Sequence, residues 1–177
     1  MTHPPSSIAK AITGMQQNWP QSVNHGLAVT MAIHRASRLL DERTAAVLAA
    51  FDLSNTEFEL LAVLRSQAEP HRMRPTQFYE AILISSGGLT KVLKGLETRA
   101  LIIRRDSTTD GRSRPIELTL EGKMLAENAM LALKEANADT FSRFEEREDM
   151  KELGKLLLSL LTEIENGRQP SRDRQPE

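Results

Sequence analysis

The 177-residue sequence contains no cysteine, which excludes a disulfide framework, thiolate-held zinc or iron–sulfur clusters, and thiol-based catalysis or redox sensing. Aromatic residues are scarce, at 4% with one Trp and one Tyr, while Ala and Leu are plentiful; that bias favours helix over sheet. No run approaches the roughly 18 apolar residues of a spanning helix. The start, Met1-Thr2-His3-Pro4-Pro5, lacks the basic residues and apolar segment of a secretion signal, so a cytoplasmic protein without a membrane partner is expected. His3, His25, His34 and His71 have no metal-ligand spacing, and neither G-x-G-x-x-G nor H-E-x-x-H occurs. Neither a metal, a cofactor nor an enzyme activity is expected. What remains is globular, with 40% hydrophobic and 27% charged residues, in a length that suits one ordinary domain or a small domain plus long dimerising helices.

The formal net charge of −1 is no argument for nucleic acid, but its distribution is uneven. From Ser85 to Arg114 the chain carries seven basic residues (Lys91, Lys94, Arg99, Arg104, Arg105, Arg112, Arg114) against Glu97, Asp106 and Asp110. From Glu117 to Glu165 twelve acidic residues face six basic ones, a poor surface for phosphate. Any anionic partner therefore belongs to the first of these segments.

Local signals divide the chain. Residues 1 to 24 mix Pro, Ser, Gln and Asn with scattered apolar residues and read as an arm, with Trp19 as its anchor. From Leu27 to Ala50 no Gly or Pro interrupts a helical spacing, which predicts a helix longer than a small core needs. Ser54-Asn55-Thr56-Glu57 is a capping box, with Leu53 and Phe58 in staple positions, and opens a second helix to about Ser66. Pro75 begins a short third helix through Phe78, Ala81, Ile82 and Leu83. After Ser85-Ser86-Gly87-Gly88, the stripe Leu89, Val92, Leu93, Leu96, Ala100 predicts a fourth helix whose other face shows Ser86, Gly87, Thr90, Lys91, Lys94 and Thr98. Ile102-Ile103, a polar loop with Asp110-Gly111, and Ile116 to Leu118 predict a hairpin, its returning strand confined to an edge by Pro115. Thr119 caps a fifth helix to about Arg143, and a leucine-rich sixth runs from about Asp149 to Asn166. The tail beyond Gly167 is expected to be disordered.

Two short helices, a turn, a helix with a basic outer face and a basic hairpin make a winged helix-turn-helix. A helix enters the major groove of DNA only if the leading turn of its outer face is slim. Ser86-Gly87 followed by Thr90, Lys91 and Lys94 provides small residues first and cations behind them, and the helix start beside Ser85 suits a backbone phosphate. Arg105, Arg112 and Arg114 on the hairpin are the candidates for phosphates or a narrow minor groove, with Asp110 placed to fix Arg112. A second reading is a winged-helix module that holds a protein partner and touches no DNA; such a face has no need of the cationic strip.

The stretches Ser85-Ser86-Gly87-Gly88-Leu89-Thr90, Leu96-Glu97-Thr98-Arg99-Ala100-Leu101, Arg104-Arg105-Asp106, Asp110-Gly111-Arg112 and Leu118-Thr119 with Gly122 follow in one order and spacing. In that order and spacing the chain resembles the MarR (multiple antibiotic resistance regulator) family of bacterial transcription regulators over about residues 27 to 165. The resemblance implies a mainly α protein with a small β-hairpin wing, in which N- and C-terminal helices dimerise. The expected layout is an arm at 1–26, a dimerisation helix at 27–52, the winged helix-turn-helix at 53–119, dimerisation helices at 120–166 and a tail at 167–177. It implies a homodimeric repressor on a pseudo-palindromic double-stranded DNA operator, released by an aromatic or anionic small-molecule effector. Ser86, Thr90, Lys91 and Lys94 then read the major groove and Arg112 the minor groove. Gly95 and Gly111 depart from the family pattern, the latter removing one wing cation. The arm with Trp19 is also similar to the urate-responsive branch of the family, whose further ligand positions fall on Glu59, Val92 and Arg104; Val92 breaks that set and Glu59 keeps only the charge of an Asp. His34 and Arg38, one turn apart, are further candidates for an effector pocket or for dimer contacts.

Overall fold

The computed structural model describes residues 7–82, 85–105, 114–145 and 148–167. Its elements run α1 (Ser7–Asn18), α2 (His25–Leu48), α3 (Asn55–Ser66), β1 (Arg72–Met73), α4 (Pro75–Ala81), α5 (Ser86–Thr98), β2 (Ile102–Arg104), β3 (Ile116–Leu118), α6 (Leu120–Glu145) and α7 (Glu148–Gly167). The chain divides into two compact units, residues 1–133 and 134–177. The first holds α1 to α5, the sheet and the start of α6; the second holds the rest of α6 and α7.

Helix starts are decided locally. The Ser54 hydroxyl accepts from the Glu57 amide, while the Glu57 carboxylate accepts from the Ser54 amide at 2.9 Å, the reciprocal arrangement of a capping box. Asn24 caps α2 by accepting from the Leu27 amide, and the Thr119 hydroxyl accepts from the Gly122 amide at the start of α6. Pro75 occupies the first turn of α4, where its missing N–H costs no helical bond.

Packing holds these pieces together. Leu60, Leu61 and Leu64 of α3, Phe78 of α4, Leu89, Leu93 and Leu96 of α5, Ile102 and Ile116 of the sheet, and Ala126, Ala129 and Leu133 of α6 form one buried cluster with Leu48 and Leu53. At about 1.5–3 kcal/mol for each large aliphatic side chain, this burial fixes the order of the helices about the sheet.

Three expectations need correction. Residues 7–18 of the arm form a helix, α1, packed against α2, with Ile8, Ile12 and Met15 on its half-buried side. Trp19 is not its anchor, being 62% exposed just beyond the helix; three aliphatic residues at i, i+4 and i+7 do that work. The returning strand of the hairpin is not an edge. It is the centre of a three-stranded antiparallel sheet of order β1-β3-β2, because the two-residue strand Arg72–Met73, too short for any periodic signal, pairs with it. Pro115 lies before the first ladder residue, and its carbonyl accepts from the Arg105 amide at 2.9 Å, so it removes no sheet bond. The apolar stripe of α5 also ends at Leu96: Ala100 lies past the helix at φ 55° and is exposed, in the left-handed turn that lets the Leu101 amide reach the Leu96 carbonyl.

Two backbone sites give stability tests of opposite sign. A Cβ on Gly122 would stand 2.0 Å from the Leu101 carbonyl oxygen, so Gly122→Ala is expected to destabilise by about 1–3 kcal/mol. Ala100→Gly relieves a left-handed alanine and is expected to stabilise by about 1 kcal/mol. Urea denaturation followed by circular dichroism measures both.

Candidate nucleic-acid interface

Helix α5 presents two unlike faces. Leu89, Leu93 and Leu96 are buried in the core, whereas Gly87, Thr90, Lys91, Lys94 and Thr98 are exposed. Ser85, also exposed, caps the helix by accepting from the Gly88 amide at 3.2 Å. The space beside Gly87 is open, as a slim leading turn requires. Ser86 is the first helical residue; its side chain lies outside the described set. Arg99 ends the helix and ties it to α3, with Nη1 3.5 Å from the Glu57 carboxylate and Nη2 3.7 Å from that of Asp52. Glu57 thus caps α3 and grips α5 together, a link invisible in sequence because its partners lie some forty residues apart.

The base of the hairpin is built around one carboxylate. Glu117, at the centre of β3, is 11% exposed, with Arg72 on one side and Arg105 on the other. Arg72 Nε donates to Glu117 Oε2 at 3.0 Å and its Nη2 to the same oxygen. Arg105 Nη2 donates to Oε1 at 3.0 Å. The Arg105 hydrogen bond, reinforced by Arg72 and opposed by burial, holds the Glu117 carboxyl below its ordinary value. Arg114 is exposed beside the strand. Asp110 and Arg112 lie in 106–113, outside the described residues. Sequence reading missed Arg72 and Glu117 altogether, since their relation depends on the register Arg72↔Glu117 across a strand it did not predict.

The candidate effector residues do not converge. His34 and Arg38 are exposed on α2, and Arg38 Nε lies 3.6 Å from Glu42. Arg104 donates from Nε to Glu97 at 3.2 Å, back onto α5. Trp19 sits at the end of α1. Glu59 lines a cleft of about 460 Å³ between α3 and α4, with Phe58, Ala62, Val63, Ala81 and Ile82. Burial, and then the charge of Asp41, hold its carboxyl above the ordinary value.

This layout has counterparts. A family profile described as MarR family matches residues 51–113. The chain is 33% identical over 122 residues to the HTH-type transcriptional regulator PecS of Dickeya dadantii (strain 3937), covering 69% of this chain and 74% of PecS. The chain belongs to the MarR family. It is also 30% identical over 146 residues to the transcriptional repressor MprA of Escherichia coli (strain K12), covering 78% of this chain and 79% of MprA. Among solved structures it is similar in fold to the transcriptional repressor CouR bound to a 23-mer DNA duplex, with a TM-score of 0.67 and 22% identity over 75% of this chain and 91% of that one. As a MarR-family member the chain is a transcriptional regulator and not an enzyme. Among the described residues no helix is long and apolar enough to cross a membrane.

The Glu117 geometry carries a pH dependence of known sign. A carboxyl whose pKa is lowered by folding contributes stability that is complete above its unfolded value and is lost as pH falls through the folded one. Glu117→Gln should therefore lower stability by about 1–2 kcal/mol at neutral pH, and the gap from wild type should close below about pH 4. Thermal melts across a pH series measure that gap.

Proposed function

We propose that the chain is a homodimeric repressor that reads a pseudo-palindromic operator and is released by a small aromatic effector. The observation that carries this reading is α5 itself: its apolar side is buried, and Thr90, Lys91 and Lys94 stand in solvent behind a slim first turn. Ser85, Ser86 and Gly87 at the helix start meet the backbone and the groove edge, and Lys91 and Lys94 follow into the major groove. Arg105, Arg112 and Arg114 serve the wing, with Asp110 steadying Arg112. That CouR is a repressor bound to DNA and MprA a repressor supports the same role here.

Dimerisation by the first long helix and the C-terminal helices is supported by apolar side chains that stand exposed in the single chain. On α2 these include Val29, Ile33, Leu39 and Leu40, and on α7 Leu153, Leu156, Leu157, Leu160, Leu161 and Ile164. Such stripes are too wide to be left in water. A twofold dimer places two recognition helices on half-sites about one helical turn apart.

The cleft beside Glu59 is the best-supported effector site. Among the described residues its walls are Phe58, Ala62, Val63, Ala81 and Ile82, suited to a ring, and the Glu59 carboxyl disfavours an anion. Of the aromatic and anionic effector classes that the sequence suggests, this lining favours the aromatic one.

Three measurements test the proposal. Light scattering should return a dimer. Fluorescence anisotropy against duplex DNA from upstream of the chain's own gene should show log affinity falling by about 5 per tenfold rise in salt, from roughly six neutralised phosphates per dimer. Arg112→Ala should weaken that binding markedly and leave the dimer intact. A flat salt titration would sink the DNA-binding reading.

A further inference from the structure

The outward face of the small sheet carries a charge arrangement that the recognition helix does not use. Strand alternation turns Met73, Ile102, Ile116 and Leu118 into the core and leaves Arg72, Ile103 and Glu117 on the opposite face. Arg105 joins them just past the end of β2. Two guanidinium groups here share one carboxylate, so the cluster keeps one net positive charge. Without Glu117 the two cations would repel each other and drift apart in solvent. With it, they are held to opposite oxygens of a single, almost fully covered group.

The donors are not exhausted by that grip. A guanidinium has five N–H groups in a fixed fork. Arg72 turns Nε and Nη2 toward Glu117, and Arg105 turns Nη2 alone. Both side chains remain about half exposed, at 44% for Arg72 and 52% for Arg105. Arg105 follows β2 directly, and its amide donates to the Pro115 carbonyl beside β3. Strand β2 in turn packs against α5, so the cluster stands in the same compact unit as the recognition face.

We propose that Arg72 and Arg105, ordered on either side of Glu117, form a clasp for one DNA backbone phosphate at the base of the wing, with Arg72 as a contact that no motif in the chain marks. The clasp rests on the DNA-binding reading above. Glu117 is its positioning residue: it keeps both forks in place before DNA arrives, so that little side-chain freedom is lost on binding. Its depressed pKa keeps it charged throughout the physiological range. A phosphate fits where a second carboxylate would not be needed, because the residual charge is a single positive one and the outward donors are planar forks matched to phosphate oxygens.

The test uses the full-length protein and a fluorescein-labelled duplex of mixed sequence, titrated by anisotropy over a salt series. Arg72→Gln keeps an amide donor for Glu117 and removes the cation. Two clasps per dimer each lose one phosphate contact, so the slope of log affinity against log salt should become shallower by about 2. Arg65→Gln, which removes an equal charge from the Arg65–Glu127 pair between α3 and α6, should leave the slope unchanged. Because Arg72→Gln also loosens the sheet, a wild-type measurement accompanies it: phenylglyoxal modification read by mass spectrometry, in which duplex DNA should protect Arg72 and Arg105. Wild-type binding together with a full slope in Arg72→Gln, or equal modification of Arg72 with and without DNA, overturns the clasp and leaves the regulator reading standing. Wild-type protein that does not bind the duplex overturns both.

Discussion

The candidate interface depends on how α5 is seated. Leu89, Leu93 and Leu96 lie one turn apart and enter the core formed by Leu60, Leu61 and Leu64 of α3 and Phe78 of α4. A rotation of α5 by one residue would carry these leucines into water and drive Lys91 or Lys94 toward the core, at a cost of several kcal/mol from lost burial and an unpaired charge. The polar face is therefore outward because the apolar face has only one place to go. Arg99 adds a polar lock at the far end, where it reaches the same Glu57 that caps α3. Helix α5 is thus oriented by packing along its length and by an ion pair at its end.

The wing depends on a different kind of constraint. Three strands of two or three residues make too few ladder bonds to be stable alone. They persist because Ile102, Ile116 and Leu118 are pinned to the helical core beneath, while on the outer face Glu117 ties Arg72 and Arg105 across all three strands. Apolar burial on one side and a shared carboxylate on the other hold the base of the sheet. Gly122 completes this region: the first turn of α6 passes so close to the Leu101 carbonyl that no side chain fits between them.

Charge separates the rest of the molecule by task. The cationic residues of α5 and the hairpin base lie in one compact unit, while α6 and α7 carry the acidic excess read from Glu117 to Glu165. Net charge near zero hides this division, which is why the total charge is uninformative about DNA and its local distribution is not. The effector question divides along similar lines. Of Trp19, His34, Arg38, Glu59 and Arg104, the candidates that sequence position and resemblance suggest, Arg104 turns to Glu97, Arg38 to Glu42, and Glu59 lines a cleft. Long flexible side chains choose their partners by proximity in space, which spacing along the chain does not report.

The amino-acid sequence by itself determined the helices from α2 onward, the caps at Ser54, Ser85 and Thr119, the Pro75 start of α4, and the division of α5 into buried and exposed faces, because capping and amphipathic periodicity are local properties of consecutive residues. It also determined the family, through motifs whose order and spacing survive without coordinates. The tertiary structure alone decided that α1 packs on α2 through Ile8, Ile12 and Met15 while Trp19 stands in solvent. It alone decided that Arg72–Met73 makes β3 a central strand, and that Arg72, Glu117 and Arg105 meet. A two-residue strand has no period to detect, and residues 45 apart become neighbours only when a sheet register brings them together; pairing of that kind is set by the whole fold's burial and not by any segment's own preference.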